Sequence, residues 1–531
     1  FAFSAGGYYD GSDGFFTNVT TGKKADKGSA AGGRIRALYK ANDRLTFDLS
    51  TSYDYSDEGA YPYYHLISGA NSSTHSSSST ISNNRESSYR RSMLNSGLNI
   101  EYQASAFVMN AITGYQHLND RMFLDQDFIA ADIYTLEQRQ RINTLSEEVT
   151  FKSRDNEGGW YQWLTGVNVM YQSLHTSGPV TFYEDGVSGV IEGNINRIFS
   201  TLQLQNPKMP TMGITLQDRE FVVSSIMDTP VFDFAFFHSS TFSWNRWKLT
   251  AGLRFEYERL NLDYYSNSDI TFDFDIAMSP AMAFNYPDLK ASPLFEGKMD
   301  DDYLQVLPKV SLMCQLSADN NIYANVSKGY RSGGYNIQMF SDLVQAQMRS
   351  QMMTSIDEAG KGVVQKMLGE DQYGRLTALG DVNSVVYKPE YSWNYELGAH
   401  LNFSQSSSPL TLDAALFLLD TRDQQISRFA PSGLGRMMVN TGKSRSYGAE
   451  MSALWRPLQQ LVITANYGYT HATFTDYDDG STVANAEGET VRNDYSGNYV
   501  PFVPQHTLGL DAAYTWTLPS DWVHSLTLGA S

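Results

Sequence analysis

The chain has one cysteine, Cys314, in 531 residues. It can form no internal disulfide and no cysteine metal cluster. A lone thiol of this kind reads as a small buried or lipid-facing side chain. No run of about 18 apolar residues exists, which excludes a transmembrane helix. Positive charge is scarce: 39 Lys and Arg stand against 58 Asp and Glu, a net charge of -19. That argues against binding nucleic acid through its phosphates. No G-x-S-x-G or H-E-x-x-H motif and no local nucleophile–base constellation appears, so the sequence does not read as an enzyme. Also missing is a basic and then apolar leader. Phe1-Ala2-Phe3-Ser4 reads as the inside of a strand, and the chain is expected to begin within a longer protein.

Aromatic and small polar residues are what the sequence has in plenty. Its 34 Tyr, 28 Phe and 8 Trp, with abundant Thr, Ser, Asn and Gly, favour strands. A two-residue period runs over stretches of about ten residues. In 247–258, Trp247, Leu249, Ala251, Leu253, Phe255 and Tyr257 alternate with Lys248, Thr250, Gly252, Arg254, Glu256 and Glu258. In 391–403, Tyr391, Trp393, Tyr395, Leu397, Ala399, Leu401 and Phe403 alternate with Ser392, Asn394, Glu396, Gly398, His400 and Asn402. Each apolar series falls on one sheet face. A soluble sandwich shows the same alternation. The mean hydropathy of -0.37 suggests a soluble protein but does not exclude a barrel, where every second residue meets water.

Connections and tryptophans separate the two readings. Short turns near 41–43, 156–159, 245–246, 318–321, 404–409 and 458–460 alternate with long polar loops near 60–88, 185–229, 268–301, 337–388 and 477–497. That asymmetry is the habit of outer-membrane barrels. Trp160, Trp163, Trp244, Trp247, Trp455, Trp516 and Trp522 fall at strand ends beside short turns, and Trp393 beside a long loop. Bilayer interfaces hold Trp this way, whereas a soluble core would hold it mid-strand. The expected fold is all-β, a transmembrane antiparallel β-barrel. About 17 strands are predicted: 1–18, 29–41, 44–57, 88–103, 105–125, 139–153, 160–183, 230–243, 247–266, 302–317, 321–336, 389–404, 409–427, 438–456, 460–476, 498–517 and 521–530. An odd number cannot close in lipid. The strands fit as the third to nineteenth of about 22, the size of plugged transporters.

Several fragments then resemble TonB-dependent outer-membrane receptors. Ser146-Glu147-Glu148-Val149-Thr150-Phe151 is similar to a mid-barrel strand of that family, and Ala251-Gly252-Leu253-Arg254-Phe255-Glu256 to its "GLRYE" strand. Leu307-Pro308-Lys309-Val310-Ser311 resembles its "PK" strand. The segment from Ile322 to Asn336, with Gly329-Tyr330-Arg331-Ser332-Gly333-Gly334-Tyr335-Asn336, resembles its "GYR.GG.N" element. Lys388-Pro389-Glu390, Tyr395-Glu396-Leu397-Gly398, Asn440-Thr441-Gly442, Gly448-Ala449-Glu450 and Pro504-Gln505-His506-Thr507 follow in the family's order, and Asp13 to Asn18 resembles an early strand. The resemblance implies active uptake across the bacterial outer membrane, powered by the TonB–ExbB–ExbD system through an N-terminal plug. It also implies contact with outer-membrane lipid and lipopolysaccharide. Neither plug, TonB-binding segment nor the family's aromatic-ended last strand is in these 531 residues, so residues 1–531 are expected to be part of a barrel. The ligand implied is a ferric siderophore. The "FRAP…NPNL" pair of haem receptors is not matched, and the scattered histidines do not suggest a haem ligand pair. Cobalamin, a glycan or a passive porin-like barrel are the alternatives. A porin would carry an inward-folded constriction loop.

By alternation, Arg331, Glu396, Arg254, Glu256 and Glu450 point into the lumen. Arg331, Tyr335, Asn336, Glu396, Arg254 and Glu256 are the candidate ligand-binding residues. Mutually paired charges that brace the wall would give the same pattern. Residues 341–368 read as a helix, with Leu343, Met348, Met352, Ile356 and Val363 at helical spacing. Its methionines could form an adaptable ligand surface or simply pack the loop down. Asp476, Asp478, Asp479 and Gly480 lack the spacing of a calcium loop and read as a solvated acidic segment. No cofactor is expected.

Overall fold

The computed structural model describes residues 1–63, 80–154, 159–279, 282–404, 406, 408–429, 436–484, 490–519, 522 and 524–531. Side chains at 429, 436, 441 and 478–493 lie outside that description, and with them the acidic segment at Asp478, Asp479 and Gly480.

Among the described residues, seventeen strands make one antiparallel wall. They are β1 Ala2–Ser12, β2 Gly28–Asn42, β3 Leu45–Gly59, β4 Ser88–Gln103, β5 Phe107–Asp125 and β6 Tyr134–Ser153. Then come β7 Tyr161–Ser177, β8 Val231–Trp244, β9 Trp247–Asn267, β10 Leu294–Gln315, β11 Asn321–Arg331 and β12 Glu390–Asn402. The last are β13 Leu410–Phe429, β14 Arg436–Leu458, β15 Leu461–Asp476, β16 His506–Thr517 and β17 Ser525–Ala530. Two short pieces, Val180–Phe182 and Phe221–Asp228, extend β7 and β8 on the long-loop side. Each strand pairs with its neighbours in sequence. Among the described residues β1 has only β2 as a partner, and β17 only β16.

Every predicted strand is present, with shifted ends. The first stops at Ser12 rather than 18, the sixteenth starts at His506 rather than 498, and the last starts at Ser525 rather than 521. β10 begins at Leu294, eight residues earlier than expected, because 294–301 pairs with 260–267 of β9. β11 ends at Arg331 instead of 336. Its ladder with β10 is shorter still, running only from Lys309–Ser327 to Gln315–Asn321. Pro308 is the next residue of β10, and proline has no N–H to give a ladder. Above that point β11 parts from β10, while β12 stays paired with β13 as far as Tyr391–Arg422.

The tryptophans sit near strand ends. Trp244 and Trp247 face each other across the β8–β9 turn, and Trp160 stacks beside Phe242 with ring centroids 6.0 Å apart. Cys314 lies half-buried opposite Trp247.

On the long-loop side, two segments expected as plain loops and the loop expected to carry a helix build a cap with its own core. Strands Thr211–Leu216, Ile270–Ser279 and Met282–Ala291 form a three-stranded sheet. Its Met212, Ile214, Leu216, Ile270, Phe272, Phe274 and Ile276 are buried, while Thr271, Asp273 and Asp275 alternate with them. Helix α1, Gly193–Gln205, adds Ile195, Phe199 and Leu202 at helical spacing. Helix α2, Met339–Ala359, adds Met348, Met352, Met353 and Ile356, all buried in the same cluster. The methionines therefore pack the loop down, and each fully buried one contributes about 1.5–3 kcal/mol. The single helix expected over 341–368 breaks at Gly360–Gly362, where Gly362 has φ +76°, and Val363 starts a separate short helix.

Candidate functional site

Directly opposed residues of an antiparallel pair share a face, so the register assigns both faces of the wall. One row crosses six strands as Arg34, Ser52, Asn95, Gln116, Thr144 and Gln172. The adjacent row, on the other face, is Ile35, Thr51, Ser96, Tyr115, Leu145 and Tyr171, continuing to Phe232 of β8. The first is the inner face. Its side chains bond to each other: Gln116 donates to Asn95 over 2.8 Å and Gln172 to Thr144 over 3.1 Å. The outer face is apolar, as in the row Phe236, Phe255 and Val306, all exposed as lipid-facing residues must be.

On the inner face, rings lie over glycines of the neighbouring strand. Tyr8 covers Gly32, Phe237 covers Gly166, Tyr264 covers Gly297, Tyr323 covers Gly398 and Phe417 covers Gly448. Each pair is directly opposed in the register. A Cβ at any of these glycines would run into the ring. The ring fills the space that the missing side chain leaves and lies flat on the wall, which keeps the lumen clear.

The predicted site residues fall into separate groups. Arg254 and Glu256 form an ion pair on the inner face, and the Tyr330 hydroxyl donates to Glu256 over 2.8 Å. Buried Asp233, Glu258 and Gln305 lie beside them. Tyr391, expected on the lipid side, is reached instead by the Gln305 amide at 3.0 Å. The physical reason is the short β10–β11 ladder. Above Ser327 β11 folds inward with the end of β12, so that their outer side lies on the inner side of β9 and β10. Tyr335 follows and donates to the Leu260 carbonyl over 3.2 Å. Buried Asn336 is a tie between segments: its amide donates to the Met438 carbonyl over 2.8 Å and accepts from the Met438 N–H over 2.6 Å. Arg331 is exposed opposite Glu390. Glu396 stands apart, accepting from the Tyr323 hydroxyl over 2.6 Å. A shallow depression collects Tyr323, His400, Asp413 and Glu450 nearby. Of these charges, Arg254 and Glu256 pair with each other, as bracing requires, whereas Glu396 bonds to a tyrosine and Arg331 is exposed.

Sequence reasoning missed a pocket at the outer mouth. It lies on the inner side of β5, β6 and β7 and is closed by residues 337–345, with a volume of about 420 Å³. Leu124, Tyr134, Leu136, Met227 and Ile337 give it apolar walls, and Gln126, Gln138 and Gln345 add amides. The signal in the sequence was weak: Met122, Leu124 and Leu136 occupy inner-face positions, but so do Leu118 and Ile142 lower on the same strands. The partners also come from segments about 200 residues apart. A larger groove of about 1190 Å³ lies between the outer ends of β1–β4, but its charges are mixed and paired, as in Lys23–Glu86 and Arg90–Asp57.

Outside the membrane-spanning strands, Arg85 bridges loops. Its Nε lies 2.8 Å from Asp132 and its guanidinium sits 3.6 Å over the Tyr183 ring. The hydrogen bonds from Arg85 hold the Asp132 carboxyl below the usual carboxylate range. Burial pushes the neighbouring Asp127 carboxyl up.

Comparison with known proteins fits this architecture. The chain is similar to the pesticin receptors of Yersinia pestis (28% identical over 216 residues) and Yersinia enterocolitica (27% over 214); each match covers 40% of this chain and 23% of the relative. Among solved structures, the ferric yersiniabactin uptake receptor FyuA from Yersinia pestis aligns over 97% of this chain and 60% of its own, with a TM-score of 0.58 at 18% identity. The siderophore receptor PiuA from Acinetobacter baumannii aligns over 96% of this chain and 65% of its own, with a TM-score of 0.58 at 12% identity. The copper transporter OprC has a TM-score of 0.55 at 12% identity, over 99% of this chain and 69% of its own. The chain therefore spans less than two thirds of the length of the first two structures. The family model for the TonB dependent receptor-like β-barrel matches residues 1–531. With its seventeen-strand antiparallel wall, polar inside and apolar outside, the chain belongs to the β-barrel family of TonB-dependent outer-membrane receptors.

Proposed function

We propose that the chain is the greater part of the barrel wall of a receptor that imports an iron chelate, of the ferric siderophore class, across the outer membrane. TonB, energised by ExbB and ExbD, drives the step through a plug domain seated in the lumen. The observation that carries this reading is the family match over the whole chain. Its direction toward iron is supported by structural relatives named as a ferric yersiniabactin uptake receptor and a siderophore receptor. In this reading the apolar outer rows sit in lipid and lipopolysaccharide. The polar inner row from Arg34 to Gln172 offers a hydrated surface along which a polar chelate passes. The cap around Phe272 and Met352 frames the entrance.

The whole protein, expressed in a strain stripped of its own siderophore receptors, should restore growth on a ferric siderophore as sole iron source. Restoration should vanish when TonB is deleted. Growth at an undiminished rate without TonB would refute the proposal and favour a passive pore.

A further inference from the structure

The outer face of β3 to β7 changes character toward the long loops. Its lower rows are mostly apolar and aromatic, from Tyr102, Met109 and Phe151 up to the exposed rings of Tyr53, Tyr115 and Tyr171. Above them come arginines. Arg90 of β4, Arg121 of β5 and Arg139 of β6 oppose one another directly, three cations in one row across three strands. Arg141 stands one row below, opposed to Asn119 and His175. Like charges opposed in a sheet destabilise it, and the carboxylates at hand offset this only in part. Asp57 pairs with Arg90 at 3.0 Å, while Arg121 and Arg139 share a single oxygen of Glu137. Asp228 is taken up by His175, 2.8 Å away. Arg141 is exposed and makes no ion pair or hydrogen bond among the described residues.

The height of these arginines fits a membrane surface. Twelve residues separate Tyr102 from Arg90 in β4. At about 3.3 Å per residue and a strand tilt of about 40°, that is about 30 Å along the barrel axis. The apolar band of an outer-membrane barrel is about 25 Å tall. The arginines therefore clear the hydrocarbon and stand where outer-leaflet headgroups lie. The neighbouring sector differs. From twelve residues above Trp247, the outer face of β9 and β10 carries Asp302, Asp300 and Asp263 against Arg259 and Lys298.

We infer that the arginine row is a lipid site, which binds the phosphate groups of an outer-leaflet headgroup between Arg121, Arg139 and Arg141. Opposed positions lie about 5 Å apart, so neighbouring guanidinium forks reach one phosphate, and each fork matches its oxygens in pairs. The acyl chains of the same lipid lie along the apolar rows below, and the acidic sector of β9 and β10 repels such a headgroup. The inference rests on the family's outer-membrane location and is independent of which chelate is carried.

The test uses the whole protein in detergent, with bound lipid counted by native mass spectrometry. The probes are a lipid A with two phosphates, the same lipid A with both removed, and inorganic phosphate. The phosphorylated form should bind at least tenfold more tightly than the dephosphorylated one. Arg139→Gln combined with Arg141→Gln should remove most of that preference, and Arg259→Gln should leave it unchanged. Glu137→Gln withdraws the competing carboxylate and should tighten binding severalfold. Should the double variant fail to give the heat-modifiable band of a folded barrel, Arg141→Gln, which breaks no pair, decides alone. Equal binding of the two lipids, a preference that survives the arginine variants, or an equal loss in Arg259→Gln would overturn the inference. So would Glu137→Gln binding no tighter, since the arginines and Glu137 would then only brace the strands. Displacement of the lipid by millimolar inorganic phosphate would also overturn it, by marking a site for free anions. Import is read separately, from TonB-dependent growth, so either reading can fail while the other stands.

Discussion

Glu147 shows what a single residue can cost in this wall. Its opposed partner Val169, and Val149 and Val167 beside them, belong to the apolar outer face. A carboxyl there is compensated only in part by the Thr113 hydroxyl, which donates to it over 2.6 Å. Arginine or lysine at the bilayer midplane costs about 2–4 kcal/mol, and an acidic residue less. Glu147→Leu removes that penalty but leaves Thr113 without its acceptor, worth about 1 kcal/mol. The net expectation is stabilisation by about 1 kcal/mol, read as a higher urea midpoint for folding of the whole barrel into lipid vesicles. An unchanged or lower midpoint would mean that the carboxyl faces water. Gly398 is the opposite case. Its smallness is explained by the Tyr323 ring, which occupies the place of a side chain. Gly398→Val should destabilise by about 1–3 kcal/mol through overpacking, and most of that loss should disappear in a Tyr323→Ala background.

At the scale of the element, β12 is the clearest test of facing. Leu397 is exposed on the outer side, while Glu396 and Gly398 meet Tyr323 on the inner side. Leu397→Arg therefore places a charge in hydrocarbon at a cost of about 2–4 kcal/mol. Asn402→Arg, on the inner side near the short turn, should cost less than 1 kcal/mol by comparison. Reversal of that order in vesicle folding would mean a one-residue slip in register, which inverts every assignment on the strand. Alternation alone places Tyr391 wrongly, and the reason is instructive. The two-residue period fixes which side of its own ribbon a residue occupies. It does not fix where β11 goes once its ladder with β10 ends at Lys309.

At the scale of the molecule, the outer loops are tied by charge pairs whose pH response has a definite sign. Asp132 is held below its unfolded pKa of about 3.9 by Arg85. Its stabilising contribution is complete above that value and is lost as pH falls through the lowered folded pKa. Asp127, raised by burial, works in the other direction and is relieved by protonation. Amide exchange in residues 80–87, corrected for intrinsic rates, should stay level from pH 7 to about pH 5 and quicken below about pH 4. Asp132→Asn should show the fast exchange at every pH. Slow exchange in that variant at neutral pH would locate the tie elsewhere. The pair is over a third exposed, so the effect is local and does not unfold the wall.

The sequence by itself determined the strand inventory, the facing of most strands and the family. It could do so because a membrane leaves the backbone no choice but a closed ladder and forces side chains to alternate between lipid and water. The cap sheet was also legible in part: Ile270, Phe272, Phe274 and Ile276 alternate as cleanly as any wall strand, inside a stretch read as loop. Only the tertiary structure decided that Tyr330 lies against the inner side of β9, that Tyr323 covers Gly398, and that Leu124, Leu136, Met227 and Ile337 share one pocket. Those depend on contacts between segments up to about 200 residues apart. Periodicity reports the face of one strand, whereas a pocket depends on which distant strands and loops meet.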